Sequence, residues 1–289
     1  MQAYVIGFRV QLIKGLQALG IVNEINLIPV NSTGTWTYEC GKDYTAYVGL
    51  LGLQGNYWNA ECSGTSGTVD MSINGGLRTI VNLTKAKMKN PNLGVLGYPE
   101  TIYGYKPFGR VRTAINQKLP LPLTTGDLPN AWINLEYEVV NHGSLRMNFS
   151  FDLWLTRGSD QAGIFRGDLE FMIWLYHFNL RPAGLPEGTI EAPILVNNAA
   201  ENAKWEVWFG DTGQWNILTL RLANPLKAAS VSLPLRGFIE KALSIVSGKL
   251  ININSYYLNG LEVGTEYGPV KNGEAVQLEW IIHKYTIKL

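Results

Sequence analysis

The feature of this chain that most limits its fold is a strict two-residue alternation through its middle. In LRMNFSFDLWLT (145–156), Leu145, Met147, Phe149, Phe151, Leu153 and Leu155 fall on one side, and Arg146, Asn148, Ser150, Asp152 and Trp154 on the other. An extended strand, whose side chains point by turns to opposite faces, gathers each set onto one surface, whereas a helix would scatter both around its axis. DLEFMIWLYHF (168–178) repeats the pattern, with Leu169, Phe171, Ile173 and Leu175 opposite Asp168, Glu170, Met172, Trp174 and Tyr176. A charge as central as Glu170 is expensive to bury without a partner. Alternation takes it off the oily side and sets it beside Met172 and Trp174, on what reads as the floor of a lined groove.

Further strands are expected at 132–140, 204–210, 215–222, 253–266 and 276–287, separated by turn residues at 125–127, 141–143 and 210–213. One helix is expected over 234–248, opening after a proline, anchored by Phe238, Leu243 and Ile245 and ending near Gly248. A single short helix among many strands predicts an all-β fold, a two-sheet jelly-roll sandwich with a long open substrate cleft. Residues 35–289 are expected to form one domain, since neither repeats nor a linker interrupt them. Residues 1–34 stand apart as a packed extension or a leader remnant: Phe8, Leu12, Leu16 and Leu19 recur at helical spacing, without a clean apolar core or a cleavage site.

Composition narrows the function. With 24 basic and 23 acidic residues and a formal charge of +1, the chain has no basic face for nucleic acid. No apolar run approaches the roughly 18–20 residues that a membrane span needs. His142, His177 and His283 make no metal spacing with each other or with the two cysteines, so neither metal nor cofactor is expected. Cys40 and Cys62 flank a glycine-rich stretch; the expectation is a bridge and an oxidising compartment, with two buried thiols as the other reading. Asn31, Asn82 and Asn148 stand in glycosylation triplets, which carry meaning only in a secretory pathway that uses them.

A groove of this kind suits glycosidic hydrolysis, which needs a second carboxyl across from the first. YYLNGLEVGTEYG (256–268) offers Glu262 and Glu266, both on one face of a regular strand, and periodicity does not choose between them.

The residues that would decide also carry a likeness. LEFMIW, with Glu170, and GLEVGTEYG, with Glu266 in its Gly-Thr-Glu, closely resemble the two active-site motifs of glycoside hydrolase family 12, the jelly-roll endoglucanases. GNYW (55–58), GYPETIYGYKPF (97–108), MNFSFDLWLTR (147–157) and WEVWFGDTGQW (205–215) agree in order, over roughly residues 35–289, and the variants look most like archaeal and thermophilic members. The resemblance implies an endo-acting β-1,4-glucanase that retains configuration, with Glu170 as nucleophile and Glu266 as acid/base, and Glu262 a supporting or surface residue. It implies that Asp152 hydrogen-bonds the nucleophile, that Asn56 holds a carboxylate or a sugar hydroxyl, that Trp58 is a sugar platform, and that Met172 lines the cleft. Trp174 and Tyr105 are further candidates for substrate contact. The expected partner is a β-glucan polysaccharide, acted on outside the cell by a monomer. A xyloglucan- or mixed-linkage-specific enzyme is the nearest alternative, and a non-catalytic carbohydrate-binding jelly roll a more distant one. The segments YHFNLRPAG and GTIEAPILVNNAAENAK differ in length from shorter family members and leave the cleft loops open.

Overall fold

The computed structural model describes residues 24–29, 31–113, 119, 121–122, 131–159, 161, 163–249 and 256–288. The helical spacing of Phe8–Leu19 and the turn at 125–127 lie outside these residues. Hydrogen-bonded strands form two facing layers. One runs Thr33–Glu39, Ser66–Asn74, Leu77–Lys85, Val276–Lys288, Trp132–Asn141 and Ala228–Pro234. The other, which carries the cleft, runs Ala46–Val48, Leu51–Gln54, Glu100–Lys106, Tyr257–Gly264, Arg146–Thr156, Leu169–Phe178, Asn216–Leu222, Ala199–Asp211 and Leu185–Val196. Leu195 and Val196 also pair with Ser232 and Val231, so at that end the ladder passes from one layer into the other. Leu169–Phe178 and Asn216–Leu222 run parallel, a pairing that no hairpin can supply.

The core lies where the oily sides of the two layers meet. Phe149 of the cleft layer stacks on Tyr137 at 4.6 Å and meets Trp280 edge-on at 5.5 Å, both from the opposing layer. The alternation read from 145–156 thus sends its phenylalanines inward. Its polar side is not open, however: from Met147 to Thr156 every residue is buried, because neighbouring strands and loops close over the cleft floor.

Three features were placed incompletely by the sequence. The helix spans Leu235–Ile245, but it packs through Leu235, Phe238, Ile239 and Ala242. Of the expected anchors Phe238 is fully buried, edge-on to Trp205 at 5.1 Å, and Leu243, half-buried, packs at the margin of the core, whereas Ile245 is exposed. Between the expected strands lies a long hairpin, Leu185–Val196 with Ala199–Asp211, turned at Asn197 and Asn198 with φ of 49° and 66°. A two-residue connection in this left-handed conformation matches the twist of the flanking strands, and asparagine tolerates it. Residues 24–28 also join the domain: Glu24–Asn26 pairs with Thr286–Lys288, and Leu27 and Ile28 enter the core. Cys40 and Cys62 are disulfide-bonded across 22 residues of sequence.

The helix phase is directly testable. Phe238→Ala should lower unfolding free energy by about 3–4 kcal/mol, through lost apolar burial and a cavity against Trp205. Ile245→Ala should change it by less than about 1 kcal/mol. Equal losses in denaturant titrations would contradict this packing.

Candidate active site

Register converts alternation into a surface. Across the cleft layer, Ile102, Glu262, Asp152, Met172, Thr219 and Trp208 are successive cross-strand partners, and Gly104, Gly260, Trp154, Glu170, Ile217 and Gly210 form the adjoining row. Their sequence neighbours Phe151, Leu153, Phe171, Leu218 and Val207 belong to the core, so these rows face the other way. Glu170, Asp152 and Glu262 therefore converge from three strands onto one floor.

Glu266 arrives by another route, just beyond the end of Tyr257–Gly264. Asn148 holds it by three hydrogen bonds. The Asn148 backbone N–H donates to the Glu266 carbonyl (3.0 Å), the Glu266 N–H donates to Asn148 Oδ1 (2.8 Å), and Asn148 Nδ2 donates to Glu266 Oε2 (2.7 Å). Being fully buried and engaged in this way, Asn148 has no free amide to offer a glycan.

The two carboxyls are raised by the same burial but have different donors. Both are half-buried, with an opening in an otherwise enclosing surround. Burial pushes Glu170 up to about 7, against the stabilising hydrogen bonds from Trp215 and Asp152. The Trp215 bond runs from Nε1 to Glu170 Oε2 at 2.6 Å. Glu266 is pushed up to about 8, first by burial and then by the charge of Glu170, with the Asn148 bond acting in the other direction. The two groups are thus within electrostatic reach, and the one with more donors ionises first. Asp152 lies well above the ordinary carboxylate range because of burial and the charges of Glu170 and Glu262. Its hydrogen bond to Glu170 favours the charged form of Glu170.

The other expected site residues are placed as follows. Asn56 adopts φ of 41° and donates from Nδ2 to Glu100 Oε1 at 2.7 Å, so its amide holds a carboxyl group. Trp58 is 46% exposed, an open face suited to stacking. Tyr105 is buried, donates its hydroxyl to the Gln161 carbonyl at 2.8 Å and has Arg112 over its ring at 4.4 Å. Its ring face is already occupied. Met172 and Trp174 form a small apolar cluster with Val95 and Leu180, apart from the main core. Glu262 is not a surface residue: it is 1% exposed and accepts from Trp154 Nε1 (2.8 Å) and Lys106 Nζ (3.3 Å).

Several participants carry only a weak signal in the sequence. Asn148 stands on the Asp152 face of its strand, but its triplet points to glycosylation. Trp215, within WEVWFGDTGQW, carries no sign there of its bond to Glu170. Glu100 and Lys106, charged ends of an otherwise uncharged strand, carried a signal in that pattern alone. Phe108, 38% exposed, meets Trp154 and Trp215 edge-on at 5.2 Å each and walls the nucleophile side. Among the described residues no cluster of acidic, histidine or cysteine side chains could hold a metal.

Comparisons with known proteins agree with this geometry. Residues 49–289 match the sequence pattern of glycosyl hydrolase family 12. A native family 12 xyloglucanase from Bacillus licheniformis superposes with a TM-score of 0.65 at 18% identity, over 88% of this chain and 99% of that one. Endoglucanase cel12A from Rhodothermus marinus gives 0.61 at 22%, over 89% and 100%. Endoglucanase 3 from Trichoderma harzianum gives 0.61 at 17%, over 89% and 97%. Among curated proteins none matches significantly. The fold and cleft are those of a polysaccharide-cleaving glycoside hydrolase. The chain belongs to glycosyl hydrolase family 12.

The raised carboxyls leave a thermodynamic trace. Glu266 holds its proton more firmly folded, near 8, than at its ordinary 4.5. Its contribution is therefore full below the unfolded value and is lost as pH climbs towards 8. Glu266→Gln should stabilise the protein at about pH 9 by on the order of 1–3 kcal/mol, allowing for the opening to solvent, and change little at pH 4. Unfolding midpoints that move equally at both pH values would show that burial does not set this carboxyl.

Proposed function

We propose that the protein is an endo-acting β-1,4-glucanase that works by double displacement with retention of configuration. The observation that supports this most is the unequal treatment of two carboxyls in one cleft. Glu170, with donors from Trp215 and Asp152, is the easier to ionise, and Glu266, pushed higher, keeps its proton. A retaining glycosidase needs this division of labour.

In the first step the Glu170 oxygen attacks the anomeric carbon, the glycosidic C–O bond breaks, and Glu266 gives its proton to the departing oxygen. The product is a glycosyl ester on Glu170. In the second, Glu266, now a carboxylate, takes a proton from water as the water oxygen attacks the same carbon and displaces Glu170. Both acids return to their starting states. Asp152, protonated, aims one Glu170 oxygen and moderates its charge, and the cleft layer crosses enough strands for a polymer to lie with both ends free. Trp58 offers a platform at the edge near Asn56. Met172, and more weakly Trp174, complete the apolar floor.

Xyloglucan is the nearest alternative substrate, because one similar structure is a family 12 xyloglucanase. A polymer too large to enter cells, together with the Cys40–Cys62 bridge, favours action outside the cell, by a monomer.

Glu170→Gln should lower turnover of carboxymethylcellulose by at least about four orders of magnitude while preserving binding, since the amide keeps the shape and loses the nucleophile. NMR of the first product should show the β-anomer before mutarotation. Parent-like cleavage by this variant, or an α-anomer, would refute the mechanism. A product profile across xyloglucan, barley glucan and carboxymethylcellulose decides the preferred backbone.

A further inference from the structure

Lys106 is a buried ammonium in the wall of the cleft, and nothing in the double displacement uses it. Its Nζ lies 2.5 Å from Glu100 Oε1 and 3.3 Å from Glu262 Oε2, and the three side chains are 7%, 0% and 1% exposed. Burying two acids and one base together is costly unless the protons are distributed to match the hydrogen bonds.

The hydrogen bonds are unequally shared. The ammonium and the Trp154 indole N–H can only donate; the indole is directed at Glu262 Oε1, and the ammonium is shared between Glu262 Oε2 and, at the shorter distance, Glu100 Oε1. Glu100 receives Asn56 and Lys106 on Oε1, while its Oε2 meets no hydrogen-bond partner, so Glu262 is the carboxyl with a donor on each oxygen. Asp152 is the direct cross-strand partner of Glu262 on the same face and hydrogen-bonds Glu170, which links the pair to the nucleophile.

We propose that Lys106 and Glu262 form a buried charge pair whose balance of field sets the ionisation of Glu170, and so act as positioning residues for Glu170 without touching substrate. The proposal rests on the nucleophile reading of Glu170. Glu262 places negative charge beside the hydrogen-bonded Asp152 and Glu170, and Lys106 offsets that field at Glu170. Among the described residues, the charged and titratable groups facing this unit are Glu100 and Lys106 from Glu100–Lys106, Glu262 from Tyr257–Gly264, Asp152 from Arg146–Thr156, Glu170 from Leu169–Phe178, Glu266 beyond the strand end, the Tyr98 hydroxyl, bonded to the Ser150 carbonyl, and from the core side Tyr285 with Tyr103. Within this set Glu262 raises Glu170 and Lys106 lowers it.

The two charges therefore predict shifts of opposite sign. In a kcat/KM profile on a soluble β-glucan, Lys106→Met should move the acid limb to higher pH by about one unit, and Glu262→Gln should move it lower by a similar amount. The double variant, which restores the balance of charge, should return to within about 0.3 units of the parent. A role in folding alone would lower stability and rate without moving the limb in opposite directions. Carbon-13 titration of the Glu170 carboxyl, assigned by its loss in Glu170→Gln, reads the same shifts without any turnover. If Lys106→Met does not fold, Glu262→Gln and the double variant decide the matter by themselves. Shifts of one sign, no shift, or a double variant that keeps the displacement of either single would overturn the proposal. An inactive parent that still shows the opposite NMR shifts would overturn the glucanase reading and leave the charge pair standing.

Discussion

Everything in the cleft depends on the two-sidedness of Arg146–Thr156. The same strand sends Phe149 onto Tyr137 and Trp280 in the core and turns Asp152 and Asn148 to the cleft. A slip of one residue in its pairing would exchange the two faces, burying carboxyl groups in the oil and turning aromatics outward. Core packing therefore enforces the register that brings Asp152 beside Glu262 on one side and Met172 on the other. Stability and chemistry are fixed by one constraint.

Within that frame, acids of one chemical kind are distinguished by their donors. Glu262 has an ammonium and an indole N–H, Glu170 an indole N–H and the Asp152 proton, and Glu266 one amide N–H from Asn148 on its carboxyl. Burial raises Glu100, Asp152, Glu170 and Glu266 together. Between Glu170 and Glu266 the donors then differ, since each hydrogen bond to the charged form offsets part of the desolvation penalty. The indoles of Trp154 and Trp215 serve in this role because they donate without adding charge and exclude water with the remainder of the ring.

The legible part of this protein was the part governed by periodicity. Residues 145–156 and 168–178 announced themselves because one face meets the core, and the local motifs around Glu170 and Glu266 pointed to the family. Of the hairpin Leu185–Asp211 only 204–210 showed the alternation; the first arm and the turn left no such trace, because over much of their length both sides are exposed. The helix was visible but its phase only in part, because Ile245 is as apolar as the residues that pack. The charge pair of Lys106 and Glu262 joins residues 156 apart in sequence, and a contact of that range depends on the register of intervening strands. Asn148 illustrates a different loss, since its place in the alternation was plain while its partner lay beyond the end of another strand.

The arrangement explains why an active site of this kind resists simplification. Replacing Lys106, Glu100 and Glu262 by apolar groups of similar volume would relieve buried charge, and such replacements often stabilise proteins. In this cleft the relief would strip the Asn56 amide and the Trp154 indole N–H of their acceptors. Trp154 is the cross-strand partner of Glu170 and meets Trp215, the indole that donates to Glu170, edge-on, so a loosened Trp154 reaches the nucleophile. The unfavourable burial is therefore tied to the nucleophile through neighbouring side chains. A more stable floor and a firmly held nucleophile make opposite demands on the same residues.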